Sequence, residues 1–93
     1  MKENDIVKSI LKYLKTVPSC FAWKEHGGMY GTAGIPDIIA CINGLFYAFE
    51  VKTPIGKTTA LQDATIRKIQ KCGGRAYVVR SVDEVKAILE EHT

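Results

Sequence analysis

Polar and apolar positions alternate along the chain with two different periods. Ile6, Val7, Ile10, Leu11 and Leu14 recur at helical spacing, with Asp5, Lys8, Ser9, Lys12 and Lys15 between them, which predicts an amphipathic first helix ended by Pro18. Cys20 to Lys24 is short and aromatic-rich, a strand entering a glycine-dense loop from Gly27 to Gly34. Asp37 to Ile42 and Leu45 to Lys52 are β-prone runs joined by Asn43-Gly44, the dipeptide best suited to a type I′ hairpin turn. Both faces of these runs are apolar. Ile38, Ala40, Ile42, Tyr47, Phe49 and Val51 fall on one, and Ile39, Cys41, Phe46 and Ala48 on the other, as expected of mid-sheet strands covered on both sides.

After a Pro-Gly loop from Thr53 to Thr58, Thr59 and Gln62 have capping-box spacing at the start of a second helix, which Gly73-Gly74 closes. Ala76 to Val79 is a short apolar strand. Ser81 and Glu84 repeat the capping-box spacing before a last helix carrying Val82, Val85, Ile88 and Leu89. The order is αβββαβα. The second helix must return the chain to the sheet, so the fourth strand is expected parallel to the third through a right-handed crossover, giving an α/β mixed sheet flanked by helices.

Composition narrows the class. With 93 residues, 46% hydrophobic and 25% charged, the chain suits one globular domain spanning residues 1–93. The formal charge of +3 is compatible with a nucleic-acid partner without requiring one. Cys20, Cys41 and Cys72 are odd in number and widely spaced, so neither a disulfide framework nor a zinc site is expected, and a reducing, cytoplasmic setting fits best. No signal-peptide core or membrane-length apolar run is read, so no membrane association is expected.

The chemistry follows from the register. A two-residue turn at Asn43-Gly44 makes residue 42 face 45, and continuing outward residue 37 faces 50. Asp37 and Glu50 become cross-strand partners with β-carbons roughly 4.5 to 5.5 Å apart, and Lys52 projects from the same face. Two carboxylates interrupting apolar strands require compensation, which a divalent cation can supply; a compact all-oxygen site suits Mg²⁺, with Mn²⁺ as substitute. The ordinary alternative is a solvated patch in which Glu50 pairs with Lys52 or Lys24, and a β-bulge would offset the pairing.

Gly34-Ile35-Pro36-Asp37, twelve residues, then Glu50-Val51-Lys52 resembles the PD-(D/E)xK nuclease motif. Ile35-Pro36-Asp37-Ile38-Ile39, Asn43-Gly44 with Phe46, Glu50-Val51-Lys52-Thr53-Pro54 with Gly56-Lys57, and Gln62 resemble more closely the VRR-NUC (virus-type replication-repair nuclease) family, over nearly the whole chain. The resemblance implies a restriction-endonuclease-like αβββαβ core with a C-terminal helix, and metal-dependent hydrolysis of DNA phosphodiesters, structure-selective and serving phage or bacterial replication, repair or recombination. The host cytoplasm would be the setting for a phage protein. It further implies metal ligation by Asp37, Glu50, the Val51 carbonyl and Glu3, with Lys52 as catalytic lysine and Gln62 near the metal. Gln62 is equally a capping residue, and a glutamate at a helix start is ordinary.

Lys24, Tyr30 and Lys57 are candidate DNA contacts, with solvated or merely loop-bound roles as alternatives. A basic track through Arg67, Lys68, Lys71, Arg75 and Arg80 is weaker, because helical lysines usually form a solvated face. Gly56-Lys57-Thr58 is no P-loop, since the motif's first glycine falls at Val51. His26 and His92 read as solvated. A chain this small spans little duplex alone, so a homodimer is expected. Two rivals to this nuclease are a Holliday-junction resolvase, which needs two symmetric sites and hence a dimer, and a DNA-binding module that has the fold without the chemistry.

Overall fold

The computed structural model describes residues 1–26 and 31–91. Its elements are α1 (Glu3–Leu14), β1 (Cys20–Lys24), β2 (Ile38–Ile42), β3 (Leu45–Val51), α2 (Ala60–Lys71), β4 (Arg75–Val79) and α3 (Val82–Glu91). This is the expected αβββαβα order. The sheet runs β1-β2-β3-β4, antiparallel across the first two pairings and parallel between β3 and β4.

Each element carries its local cause. Asn43 and Gly44 adopt φ of 53° and 79°, both in the left-handed region that a type I′ turn requires, and Ile42 pairs with Leu45. Thr59 caps α2: its hydroxyl accepts from the Gln62 N–H at 3.1 Å while the Gln62 side-chain oxygen accepts from the Thr59 N–H at 2.9 Å. Gly73, at φ 92°, ends that helix in the left-handed conformation a C-terminal cap needs. At α3 the Ser81 hydroxyl accepts from Glu84, whose carboxylate reaches the Arg80 N–H at 3.0 Å.

The main core lies on one face of the sheet. Ile38, Ala40, Ile42, Tyr47, Phe49, Val51 and Val79 pack there against Ile6, Val7, Ile10 and Leu14 of α1 and Val85 and Leu89 of α3. At roughly 1.5 to 3 kcal/mol per large apolar side chain removed from water, this layer supplies most of the drive to fold. On the other face Ile39, Ala48 and Ala76 form a smaller cluster with Ile66 of α2, which packs mainly on β4.

Three expectations need correction. The second face is not covered throughout, since Cys41 is exposed and Phe46 is 47% exposed. A twelve-residue helix spans only about 18 Å and lies toward the β4 side, leaving the β1 side open with Phe21 and Trp23 exposed on it. β2 begins at Ile38, so Asp37 stands just outside the strand rather than in it. Likewise β3 ends at Val51, although the Lys52 N–H still donates to the Val79 carbonyl at 3.0 Å.

Candidate active site

The carboxylates meet at the end of the sheet remote from the hairpin turn. Ile38 pairs with Phe49, so the register expected from the turn is kept up to the site and Asp37 comes next to Glu50. Hydrogen-bonded and non-bonded pairs alternate along an antiparallel ladder. With Ile42 and Leu45 closing the hairpin, residue 37 falls opposite 50 at a non-bonded pair, where side chains approach most closely.

Asp37 departs from the ladder on the β3 side alone. Its carbonyl still accepts from the Glu25 N–H at 2.8 Å, continuing the β1–β2 register, while its carboxylate Oδ2 accepts from the Val51 N–H at 2.8 Å. A side chain thus takes a donor that a β2 carbonyl would otherwise take, and the bond fixes where the carboxylate points. The same alternation directs both polar backbone groups of Val51 toward β2, opposite Pro36. Proline has no N–H to offer the Val51 carbonyl.

Glu3, the first residue of α1, brings a third carboxylate. One oxygen each from Glu3, Asp37 and Glu50 lie within 4.8 Å of one another. Glu50 is only 2% exposed, and burial, first, pushes its carboxyl up to about 8. A hydrogen bond to Asp37 and the Asp37 charge act in the same direction, as more weakly does Glu3, while the Lys52 ammonium opposes them. Lys52 is itself 9% exposed. Without a cation the cluster therefore retains a proton that three crowded carboxylates could otherwise shed. Hard oxygen donors at this separation, one of them buried and holding a proton that a cation can replace, fit a divalent cation.

The remaining candidates divide. Lys24 donates to the Asn4 side-chain oxygen at 3.2 Å and, with Glu3, Asn4, Val7 and Asp37, lines a cleft of about 270 Å³. Asp37 also borders a second cavity of about 560 Å³, along with Trp23, Glu25, exposed His26 and Phe46. Lys57 is exposed on the loop between β3 and α2. The Gln62 side-chain oxygen is engaged in the capping box. Tyr30 and His92 lie outside the described residues.

Two supposed members of a basic track are spoken for. Arg75 packs over the Tyr47 ring, 5.7 Å from its centroid, and Arg80 donates from Nη1 to the Thr53 and Gly56 carbonyls. The Arg80 contact, which the sequence reading did not foresee, follows from β4 lying parallel to β3, so that residue 80 emerges beside residue 52.

This is an α/β fold with three acidic side chains and a buried lysine at one end of its sheet. The sequence matches no family model and no curated protein. In three dimensions the chain is similar to a solved structure described as a VRR_NUC domain, with a TM-score of 0.81 and 22% identity over 98% of this chain and 97% of the other. It is also similar to a VRR_NUC domain protein, with a TM-score of 0.76 and 19% identity over 98% of this chain and 87% of that one. The chain has the VRR_NUC fold.

Proposed function

We propose that the chain is a metal-dependent deoxyribonuclease of the VRR-NUC family, residues 1–93 forming one catalytic domain. The observation that carries this reading is the convergence of Glu3, Asp37 and Glu50 within 4.8 Å beside buried Lys52. The likeness to VRR_NUC structures over nearly the whole chain supports it.

Glu3, Asp37, Glu50 and the Val51 carbonyl would hold the cation, with Mg²⁺ the ion best matched to an all-oxygen set. When bound, the cation supplies Lewis-acid polarisation of the scissile phosphate and a lowered pKa for coordinated water. Lys52 places a fixed positive charge beside the carboxylates, where it offsets charge gathering on the phosphoryl oxygens in the transition state. Its buried ammonium gives up no hydration during the reaction, so its charge acts with little reorganisation. Lys24 and Lys57 bind backbone phosphates and fix the strand without reading its sequence. The substrate is branched or interrupted DNA of the kind that arises in replication and repair, and cutting a four-way junction symmetrically would use two copies of the chain.

Labelled duplex, flap and four-way-junction DNA incubated with Mg²⁺ or Mn²⁺ tests the reading. Cleavage should require the metal and be lost in both Asp37→Ala and Lys52→Ala. Binding without cutting in either metal refutes an enzyme and leaves a DNA-binding module; light scattering of the same sample settles the assembly.

A further inference from the structure

The chain leaves the catalytic strand through a tight turn, Thr53-Pro54-Ile55-Gly56, whose tip is an aliphatic side chain. Ile55 is 92% exposed. A single apolar side chain in water is unremarked on most surfaces, so exposure alone has no meaning. The way this one is presented distinguishes it. The Gly56 N–H donates to the Thr53 carbonyl at 3.1 Å, closing the turn, and Pro54 restricts the backbone just before the tip.

Arg80 then fastens both ends. Its Nη1 donates to the Thr53 carbonyl and, at 2.7 Å, to the Gly56 carbonyl, so a partly buried guanidinium is spent on holding four residues of loop to the sheet. Gly56 allows the approach, because a Cβ there would lie 3.1 Å from the Thr53 hydroxyl. The result is a stiff projection three residues after Lys52 and two before Lys57.

We infer that Ile55, backed by Pro54, is a wedge that enters the base stack of the DNA beside the scissile phosphate. Aliphatic side chains and proline inserted between base steps unstack and kink a duplex, and the work of doing so is least where stacking is already weak. Lys57, next along the loop, is placed to hold the flanking phosphate as the step opens. Selection of branched, nicked or easily kinked DNA follows from the cost of insertion, with no base-specific contact. This inference rests on the nuclease reading and deepens it.

The test uses duplex DNA with 2-aminopurine at the step that the wild type cuts in Mg²⁺, bound with Ca²⁺ in place of Mg²⁺ so that unstacking is read without cleavage. Wild type and Ile55→Leu should raise the fluorescence. Ile55→Ala should bind without raising it, and its thermal midpoint should equal that of the wild type because the side chain touches solvent. In Mg²⁺, Ile55→Ala should lower kcat/KM on continuous duplex by about tenfold, near the value of one aliphatic side chain withheld from an apolar site. The loss should be smaller where the cut step is already unpaired. Equal fluorescence and equal rates for wild type and Ile55→Ala, with cleavage intact, overturn the wedge alone. A dimer that depends on Ile55 while the fluorescence stays flat overturns it in favour of an interface between copies. Failure of the wild type to bind or cut any DNA overturns both readings.

Discussion

Replacing Glu50 by glutamine should stabilise the metal-free protein at neutral and alkaline pH. Glu50 sits 2% exposed against Asp37, and its carboxyl is raised from an ordinary 4.5 to about 8 by burial, then by the hydrogen bond to Asp37 and the Asp37 charge. The unfolded chain releases this proton near the ordinary value while the folded chain retains it. Between about pH 4.5 and 8 the native state therefore binds one more proton than the unfolded state, and stability falls as pH rises. The stability this group contributes is complete below the unfolded value and gone above about pH 8. The limiting slope is about 1.4 kcal/mol per pH unit, or roughly 3 kcal/mol lost by pH 7 when the whole shift is expressed. For a domain of this size 1 kcal/mol moves the midpoint by roughly 4–8 °C.

Glutamine preserves the shape and can still hydrogen-bond Asp37, but never becomes an anion. The assay is thermal unfolding in chelator from pH 5 to 8.5 for wild type and Glu50→Gln, read as the difference between them so that other titrating groups cancel. The midpoint gap should widen in favour of the variant as pH rises. Mg²⁺ should close it by raising the wild type alone, since a cation displaces the retained proton. A gap that does not change with pH, or a variant that loses ground toward pH 8, refutes the electrostatic reasoning.

Other expectations concern the supports of the site. Gly34 adopts φ 82°, and a Cβ there would lie 2.7 Å from the Thr65 hydroxyl and 2.8 Å from Leu61 Cγ. Gly34→Ala should cost about 1–3 kcal/mol, from left-handed strain and displacement of α2, measurable as a lowered urea midpoint. Gln62→Ala removes half of the α2 capping box and should cost about 1 kcal/mol. A fall in kcat well beyond that loss of folded protein would show that Gln62 also acts on the substrate; a Gln62→Glu variant, which keeps the cap acceptor, should then restore stability but not rate.

The sequence made the hairpin legible because Asn43-Gly44 fixes the turn and the turn fixes all later pairings. Asp37 and Glu50 could be set opposite each other from that alone. Capping residues Thr59 and Gln62 were equally readable, being local. The detachment of Asp37 from β2 was not, because it depends on the Val51 N–H finding the Asp37 carboxylate in place of a backbone carbonyl. Glu3 stood out only through a family resemblance, for its nearness to Asp37 is decided by how α1 lies across the sheet. Cys41 and Phe46 looked buried because alternation reports which face a residue is on, and nothing local reports how far a helix extends over that face. Arg80 read as a surface cation, and only the parallel pairing of β4 with β3 turns it toward the loop.

The Asn43-Gly44 turn stands six residues from Asp37, roughly 20 Å away at the usual strand rise, and contributes no side chain to the carboxylate cluster. It nevertheless acts as the zero mark of a ruler. Substitutions along the two arms alter how tightly the strands pack, whereas one residue inserted or deleted in either arm would turn a carboxylate to the face packed against α1 and α3, with both acidic residues still present.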